Sequence, residues 1–371
     1  MSGKIRLSKS SISNLEKQAV LEVLNKEFLG MGEEVHLFER EIKSYLQTEM
    51  DVVCVNTGTS ALHLSLSALG LKKRDEVLVP SLTYIASYQA ISATGATPIS
   101  CEIDSQTLFI DIEDAQSKIT QYTKAIMPVH YASSSKGMEA VYTLANHYNL
   151  RVIEDAAQAF GSKRDNKLIG CCGDIICFSF DGIKNITSGE GGAILSKDKI
   201  FIQKIKDARL LGIEKDSEKR YKQERSWDFD VTEQGFRYHM SNIMASIGLV
   251  QLKRLKDFKI KRQNIAKYYI DALKDIPVIK FLDFNYNEIL PHIFVIKVKE
   301  RDRLREYLIS SDIECGIHYK PNHLLSMYKT DTILPITQQI YEEILTLPCH
   351  YDLTQMEQEI VISKIKEFYA K

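Results

Sequence analysis

The chain has 371 residues, with 48 Lys+Arg against 49 Asp+Glu and a formal net charge of -1. Hydrophobic residues are 44% and charged residues 26%, which excludes disordered, collagenous and coiled-coil classes and matches a soluble globular protein of one large or two ordinary domains. The near-zero charge gives no basic field for steering to nucleic acid or an anionic membrane, so neither is an expected partner.

The seven cysteines are Cys54, Cys101, Cys171, Cys172, Cys177, Cys315 and Cys349, an odd number scattered along the chain. No disulfide framework is expected. Cys171, Cys172 and Cys177 raise a metal site, but no second CxxC or HxxxH follows at ligand spacing, so no metal is expected either. The N-terminal stretch MSGKIRLSKSSISNLEKQ has no apolar signal region, and no run approaches the ~20 apolar residues of a membrane span. The expected compartment is a reducing cytoplasm.

Taken in chain order, short β-rich runs alternate with helical patterns. VVCV (52–55) passes through NTGT into a helix carrying Ala61, Leu62, Leu64, Leu66 and Leu69. EVLVP (76–80) precedes a helix from Thr83 to about Thr94; TPISCEI (97–103) and AIMPVH (125–130) follow. A helix over Met138 to His147 leads into RVIEDAA (151–157), then IICFSF (175–180) and GAILS (192–196). At least six strands with helices between most of them predict a mostly parallel sheet covered by helices, an α/β class. The charged stretch 213–230, with the only tryptophan, Trp227, reads as a solvated loop or a mobile flap beside a site. A helix resumes from Met240 to about Ala272, long enough to bridge two lobes. Shorter strands (VIKFL, IFVIKV) and helices (DRLREYLISS, and the end from Gln355) follow, with a loop at 318–325. The expected organisation is a large domain over 12–250, a smaller α+β domain over 251–371 and an extended arm over residues 1–11.

Three places carry chemistry. In the turn Asn56-Thr57-Gly58-Thr59-Ser60, a helix N-terminus offers unpaired N–H groups to a phosphate, and Gly58 lets backbone approach closely; Thr59 or Ser60 alternatively serves only as an N-cap. In VIEDAAQAF (152–160), Glu154 and Asp155 point to opposite faces of a strand, so only one can enter a site, where a buried carboxylate needs a cation or proton. In FSFDGIKNITSGEGGAI (178–194), Lys184 sits between an apolar strand and a Gly-rich turn, where desolvation would lower its pKa and make it nucleophilic; the alternative is a surface charge. Together with Tyr84 of PSLTYIAS, these are the parts needed to hold pyridoxal 5'-phosphate: a lysine for the Schiff base, a carboxylate for the pyridine nitrogen and an aromatic for the ring.

With these segments the sequence resembles the DegT/DnrJ/EryC1/StrS sugar aminotransferases, which have the fold-type I architecture. The matching segments run from GMGEEVHLFEREIKSYL (30–46) through NTGTSALHLSLSALG, DEVLVPSLTYIAS, VIEDAAQAFGS, GDIICFSFDGIKNITSGEGGAIL and GFRYHMSNIMASIGLVQL to GIHYKPNHL. The resemblance implies Lys184 as the Schiff-base lysine, Asp155 on the pyridine nitrogen, Gln158 on the ring hydroxyl and Tyr84 stacked on the ring. It implies Gly58, Thr59, Ser60 and Ser179 around the phosphate. A residue of GFRYHM would cross to the partner subunit's phosphate in a homodimer with shared sites. Arg237 stands there where asparagine is common, so it is a candidate for phosphate or for the substrate's diphosphate. Asp181 occupies a position often held by His or Tyr. Tyr319 and His323 are implied on the substrate side.

The activity implied is ping-pong transamination from an amino donor, typically L-glutamate, through pyridoxamine 5'-phosphate to a nucleotide-linked keto sugar, for amino-sugar and surface-polysaccharide (O-antigen) synthesis. A 4-keto-6-deoxyhexose is the favoured acceptor and a C-3 ketone the alternative. A dehydratase on the same fold would carry histidine in place of Lys184, and a non-catalytic sugar-nucleotide or cofactor-binding regulator would not need Lys184, Asp155, Gln158 and Ser179 together.

Overall fold

The computed structural model describes residues 3–225 and 227–370, so the first two residues of the expected arm and the last residue of the expected small domain lie outside it. Two helices that the strand–helix alternation did not suggest precede the first strand. Helix α1 (Asn14–Asn25) starts from a capping box of Ser13 and Glu16. Helix α2 (Glu33–Leu46) buries Val35, Phe38, Ile42 and Leu46, an i, i+3, i+4 stripe, and stops at Gln47 in the left-handed conformation.

The alternating part then follows as β1 (Asp51–Val55), α3 (Gly58–Ala68), β2 (Glu76–Pro80), α4 (Ile85–Ala93), β3 (Thr97–Cys101), α5 (Ile112–Ser117), β4 (Thr123–Ile126), α6 (Met138–Tyr148) and β5 (Arg151–Asp155). A small hairpin of β6 (Lys163–Arg164) and β7 (Lys167–Leu168) leads to β8 (Ile175–Ser179), β9 (Gly192–Ser196) and α7 (Lys199–Ala208). Seven strands form one sheet in the order β1-β9-β8-β5-β4-β2-β3. Strand β9 runs antiparallel to both neighbours and the other pairings are parallel. The sheet is therefore mixed but mostly parallel, as the sequence predicts.

The period of two explains why this sheet is covered on both faces. Val52 and Cys54 of β1, with Ile176 and Phe178 of β8, join the α2 residues in one core. Val53, Val55, Ile175 and Cys177 join α3, α4 and α7 in a second core. The carboxyl ends of β1, β5 and β8 consequently open between two helical layers, the place where open α/β sheets bind ligands.

The charged stretch 213–230 differs from a solvated loop in its first half, which forms α8 (Asp216–Tyr221). The reason is Arg209, whose side chain is fully buried and needs partners. It donates to Glu39 Oε1 at 2.7 Å, to the Cys54 carbonyl at 2.6 Å and to the Tyr221 hydroxyl at 2.6 Å, so α8 is folded down onto α2 and β1. Beyond it Trp227, Phe229 and Val231 are exposed.

Helix α9 (Asn242–Leu273), capped by the Ser241 hydroxyl, runs through the position expected to divide the domains. Its Ala245, Leu252, Leu255 and Phe258 belong to the first core, and its Ile265, Tyr269 and Leu273 belong to a third. That third core lies under the antiparallel sheet of β10 (Lys280–Phe281), β11 (Phe294–Lys297) and, after α10 (Arg301–Ser310) and α11 (Pro335–Glu343), β12 (Ile344–Leu347); α12 (Gln355–Ala370) closes it. The N-terminal arm lies along this part: Ile5 bridges to Ile313, and the Ser10 hydroxyl donates to the Gly182 carbonyl at 2.5 Å beside the lysine loop.

Candidate active site

Strand β1 ends in the turn that starts α3, and the N-cap is Thr57 rather than Thr59 or Ser60. Its hydroxyl accepts from the Ser60 N–H at 2.9 Å. Ser60 is buried and donates to Asn56 Oδ1 at 2.7 Å, whereas Thr59 is exposed. Gly58 is required by close approach: a Cβ there would sit 2.7 Å from Ser179 Cβ and 2.9 Å from its Oγ. The start of α3 and the end of β8 are thus pressed together, with the free N–H groups of one beside the hydroxyl of the other.

At the end of β5 the two adjacent carboxylates separate to opposite sides. Glu154 accepts from Tyr142 at 2.7 Å, lies 2.8 Å from His130 Nε2 and pairs with Arg164 at 3.4 Å; these partners outweigh burial and hold its pKa low. Asp155 is 5% exposed and has only the Ser87 hydroxyl at 2.7 Å and the Ala157 N–H at 3.2 Å. Burial therefore wins and pushes its carboxyl up. A buried acid short of cationic partners is what a protonated ring nitrogen would complete.

Gln158 follows one turn later. Its Oε1 accepts from the Ala132 N–H at 2.8 Å and its Nε2 donates to the Tyr319 hydroxyl at 3.1 Å. The Tyr319 ring centroid is 5.6 Å from that of Tyr84, which is 56% exposed and so has a free face. Burial pushes the Tyr319 hydroxyl well up, keeping it neutral.

Lys184 lies in the loop between β8 and β9. Burial lowers its pKa, against the opposing pull of Asp181 and Asp155. Its Nζ is 3.4 Å from His292 Nε2. Asp181 itself turns back onto the loop, accepting from the Ile183 N–H at 3.2 Å. The neighbouring Asn185 is buried and donates to the carbonyls of Gln158, Phe160 and Leu290 at 3.0, 2.9 and 3.2 Å. These contacts tie the lysine loop to the Gln158 turn and to the segment that leads into β11. Asn185→Ala leaves the Phe160 and Leu290 carbonyls short of a donor, the Gln158 carbonyl keeping the Ser133 hydroxyl, and is expected to cost about 1–3 kcal/mol of stability, read by denaturant unfolding, with lowered turnover.

The segment GFRYHM lies beside the turn of its own chain, with the Asn56 N–H donating to the Tyr238 carbonyl at 2.7 Å and Leu210 bridging to Arg237. The Arg237 side chain is exposed and has no ion-pair partner among the described residues. His323, expected on the substrate side, is 2% exposed and has both ring nitrogens engaged, Nδ1 with Ser81 Oγ at 2.6 Å and Nε2 with Gln338 at 3.2 Å. It offers no free nitrogen to a ligand and pins the 318–325 loop to the end of β2.

Sequence reasoning missed His292, Asn185 and Ser87, each of which touches an expected site residue. His292 had one available signal, a titratable group at the mouth of the apolar run IFVI. A cavity of about 560 Å³ lined by residues 134–140, 163–165 and 283–285 with Glu288 and Ile289 contains none of the expected site residues. Among the described residues no group of three or more His, Cys, Asp or Glu is placed to hold a metal ion, and no helix is long and apolar enough to cross a membrane. Cys172 is exposed, Cys171 partly buried, and Cys177 buried.

A sequence model of the DegT/DnrJ/EryC1/StrS aminotransferase family matches residues 10–366. The chain belongs to this family. It is 35% identical over 364 residues to the GDP-perosamine synthase of Escherichia coli O157:H7, covering 97% of each chain. Among solved structures, the aminotransferase TlmJ from Streptoalloteichus hindustanus superposes with a TM-score of 0.92 at 29% identity over 99% of each chain. Spr1654 from Streptococcus pneumoniae in its PLP form does so with a TM-score of 0.89 at 27% identity over 98% of each. The protein is a pyridoxal-phosphate-dependent aminotransferase, and its residues fit that cofactor: the Gly58–Ser179 approach leaves the helix N-terminus open to a phosphate, and Asp155 lacks the cation that a pyridinium would supply.

Proposed function

We propose that the enzyme transfers the amino group of L-glutamate to a nucleotide-linked keto sugar, with a 4-keto-6-deoxyhexose as the acceptor, in amino-sugar synthesis. The observation that carries this reading is the convergence of Lys184, Asp155, Gln158 and Ser179 at the carboxyl ends of β5 and β8, in a chain 35% identical to an enzyme named for a GDP-linked sugar. Bound PLP supplies the electron sink that lets an amino group leave one carbon and join another.

The chain's own residues do the rest. The N–H groups at the start of α3, with the Ser60 and Ser179 hydroxyls, hold the phosphate. Asp155 keeps the proton on the pyridine nitrogen, and Ser87 orients the carboxylate. Gln158, fixed by the Ala132 N–H and Tyr319, would meet the ring hydroxyl, and the exposed ring of Tyr84 would stack on the pyridine. The Lys184 amine, once free, would take a proton from the donor's α carbon and pass it on within the first half-reaction, and in the second half-reaction would deliver a proton to the sugar carbon that carried the ketone. Tyr319 is assigned to the acceptor side, and Arg237 to a phosphate group, whether of the cofactor in a partner subunit or of the nucleotide.

The test is a screen of nucleoside-diphosphate keto sugars, with 4-keto and 3-keto isomers in parallel and glutamate as donor, products being identified by mass and NMR. Amination of the 4-keto-6-deoxy isomer alone is the expected result; amination of the 3-keto isomer alone moves the reaction to C-3, and no aminated sugar in any arm overturns the reading. The homodimer with shared sites makes a separate prediction. Mixing inactive Lys184→Ala and Arg237→Ala chains is expected to restore up to about a quarter of the activity through hybrid sites, and absence of rescue places Arg237 in its own chain's site.

A further inference from the structure

We infer that His292, as its Nε2–H tautomer, donates a hydrogen bond to the Lys184 amine and so holds that amine neutral and oriented whenever it is not joined to the cofactor. The inference rests on Lys184 being the cofactor lysine, the reading proposed above.

His292 is 4% exposed and leads directly into β11. Its backbone is fixed from two sides. The His292 N–H donates to Ser133 Oγ at 3.0 Å, and the buried Arg262 of α9 donates to the Pro291 and His292 carbonyls, both at 3.2 Å. The ring is left with one polar neighbour within hydrogen-bonding reach, Lys184 Nζ at 3.4 Å from Nε2. Its Nδ1 is buried with no partner among the described residues. A separation of 3.4 Å is long for a finished hydrogen bond, as catalytic contacts often are before ligands tighten them.

The protonation states can be ranked from these surroundings. An imidazolium would face Lys184 and Arg262 with no carboxylate in contact, and burial followed by those cations and His318 holds the His292 ring far below the ordinary histidine range. The ring is therefore neutral and carries a single proton. If that proton is on Nδ1, a buried N–H is left without an acceptor among the described residues. If it is on Nε2, Nδ1 keeps only a lone pair, which the positive field of the nearby Arg262 favours, and the N–H faces Lys184. Orphaned buried N–H groups are rarer than under-used acceptors, so the second arrangement is preferred.

The consequence for Lys184 follows from its inventory of lone pairs. An ammonium has three donors and no acceptor, whereas the neutral amine has one lone pair. A donor at Nε2 can therefore bond only the neutral amine. Other influences act on the same amine: Asp181 and Asp155 favour its charged form, while burial favours its neutral form. Among the described residues the amine's hydrogen-bond contact is His292. His292 is thus a positioning residue that acts through Lys184, selecting the form that attacks a carbonyl and accepts a proton.

The direction of one shift tests this. In cofactor-free protein, Lys184 is labelled with trace acetic anhydride across a pH series and quantified by peptide mass spectrometry. With His292→Phe the midpoint for labelling is expected to rise by roughly half to one pH unit, because the neutral amine loses its donor. His292→Gln, whose amide can donate, is expected to return the midpoint toward the wild type. A fall shows instead that the ammonium was donating to the ring and overturns the inference, as does an unchanged midpoint. If the Phe variant does not fold, ¹⁵N-histidine NMR of the wild-type cofactor-free protein decides alone: a protonated Nε2 on His292 supports the inference and a protonated Nδ1 overturns it. Borohydride reduction of the holoenzyme followed by peptide mapping separates the two levels, since a pyridoxyl group on another lysine overturns the assignment of Lys184 whatever the histidine tautomer.

Discussion

Lys184→Ala is expected to remove at least ~10⁴-fold of the turnover with glutamate while the cofactor-free protein melts no lower than the wild type at neutral pH. The two halves have separate causes. Activity fails because the amine both joins the cofactor and moves the proton, and nothing else among the described contacts of the loop is a base of suitable reach: Asp181 is turned onto the Ile183 N–H, and His292, in the tautomer inferred above, presents an N–H and not a lone pair. Stability holds because the amine is a burden to the empty fold. Its pKa is lowered from 10.5 by burial, so the folded state binds its proton less readily than the unfolded chain. That penalty is fully present below the lowered pKa and fades as pH rises toward 10.5, so the melting advantage of the alanine protein should shrink over the same window. Loop position is set by Asn185 and its three carbonyls, not by the lysine. Turnover within tenfold of the wild type would show that another lysine carries the chemistry.

The parts of the molecule that were legible in the sequence share one property: their signal is local. Strand β5 ends in two carboxylates whose separation follows from the period of two, and the structure sends Glu154 to His130 and Tyr142 while Asp155 turns to Ser87. The glycine of the β1–α3 turn and the lysine between β8 and β9 are likewise visible as breaks in an apolar run. What could not be read depends on residues distant in sequence. His292 meets Lys184 across 108 positions, and Asn185 reaches Leu290 across 105. Helix α8 looks like a charge run because its reason for folding, Arg209, is paired with Glu39, 170 positions away. His323 shows the same limit in reverse: a histidine in a Pro-containing loop reads as available, and only Ser81 and Gln338 show that it is not.

Asp155→Asn is expected to lower turnover by roughly 10²–10⁴-fold, the equivalent of the 3–5 kcal/mol lost when one member of a buried charge pair is removed. The neutral amide cannot hold the proton on the pyridine nitrogen, so the ring no longer draws electrons from the substrate carbon. In the cofactor-free protein the same change has the opposite sign. Burial raises the Asp155 carboxyl above its ordinary 3.8, so the group contributes stability only while protonated, fully below 3.8, and that contribution is lost as pH rises through the raised value. At neutral pH burial opposes ionisation of the aspartate, which has one hydroxyl and one N–H in contact, and asparagine removes the charge while keeping an acceptor for the Ala157 N–H. The asparagine protein should therefore melt higher than the wild type without cofactor at pH 7, and the difference should vanish or reverse near pH 3. Added PLP should stabilise the wild type more than the variant, because only the wild type gains a cation for its buried carboxylate. A variant that melts lower at pH 7 without cofactor, yet keeps full turnover, would place the pyridine nitrogen against some other group. The carboxylate thus costs stability in the empty fold and is compensated only when the ring is bound, which is how a site can be strained and selective at one residue.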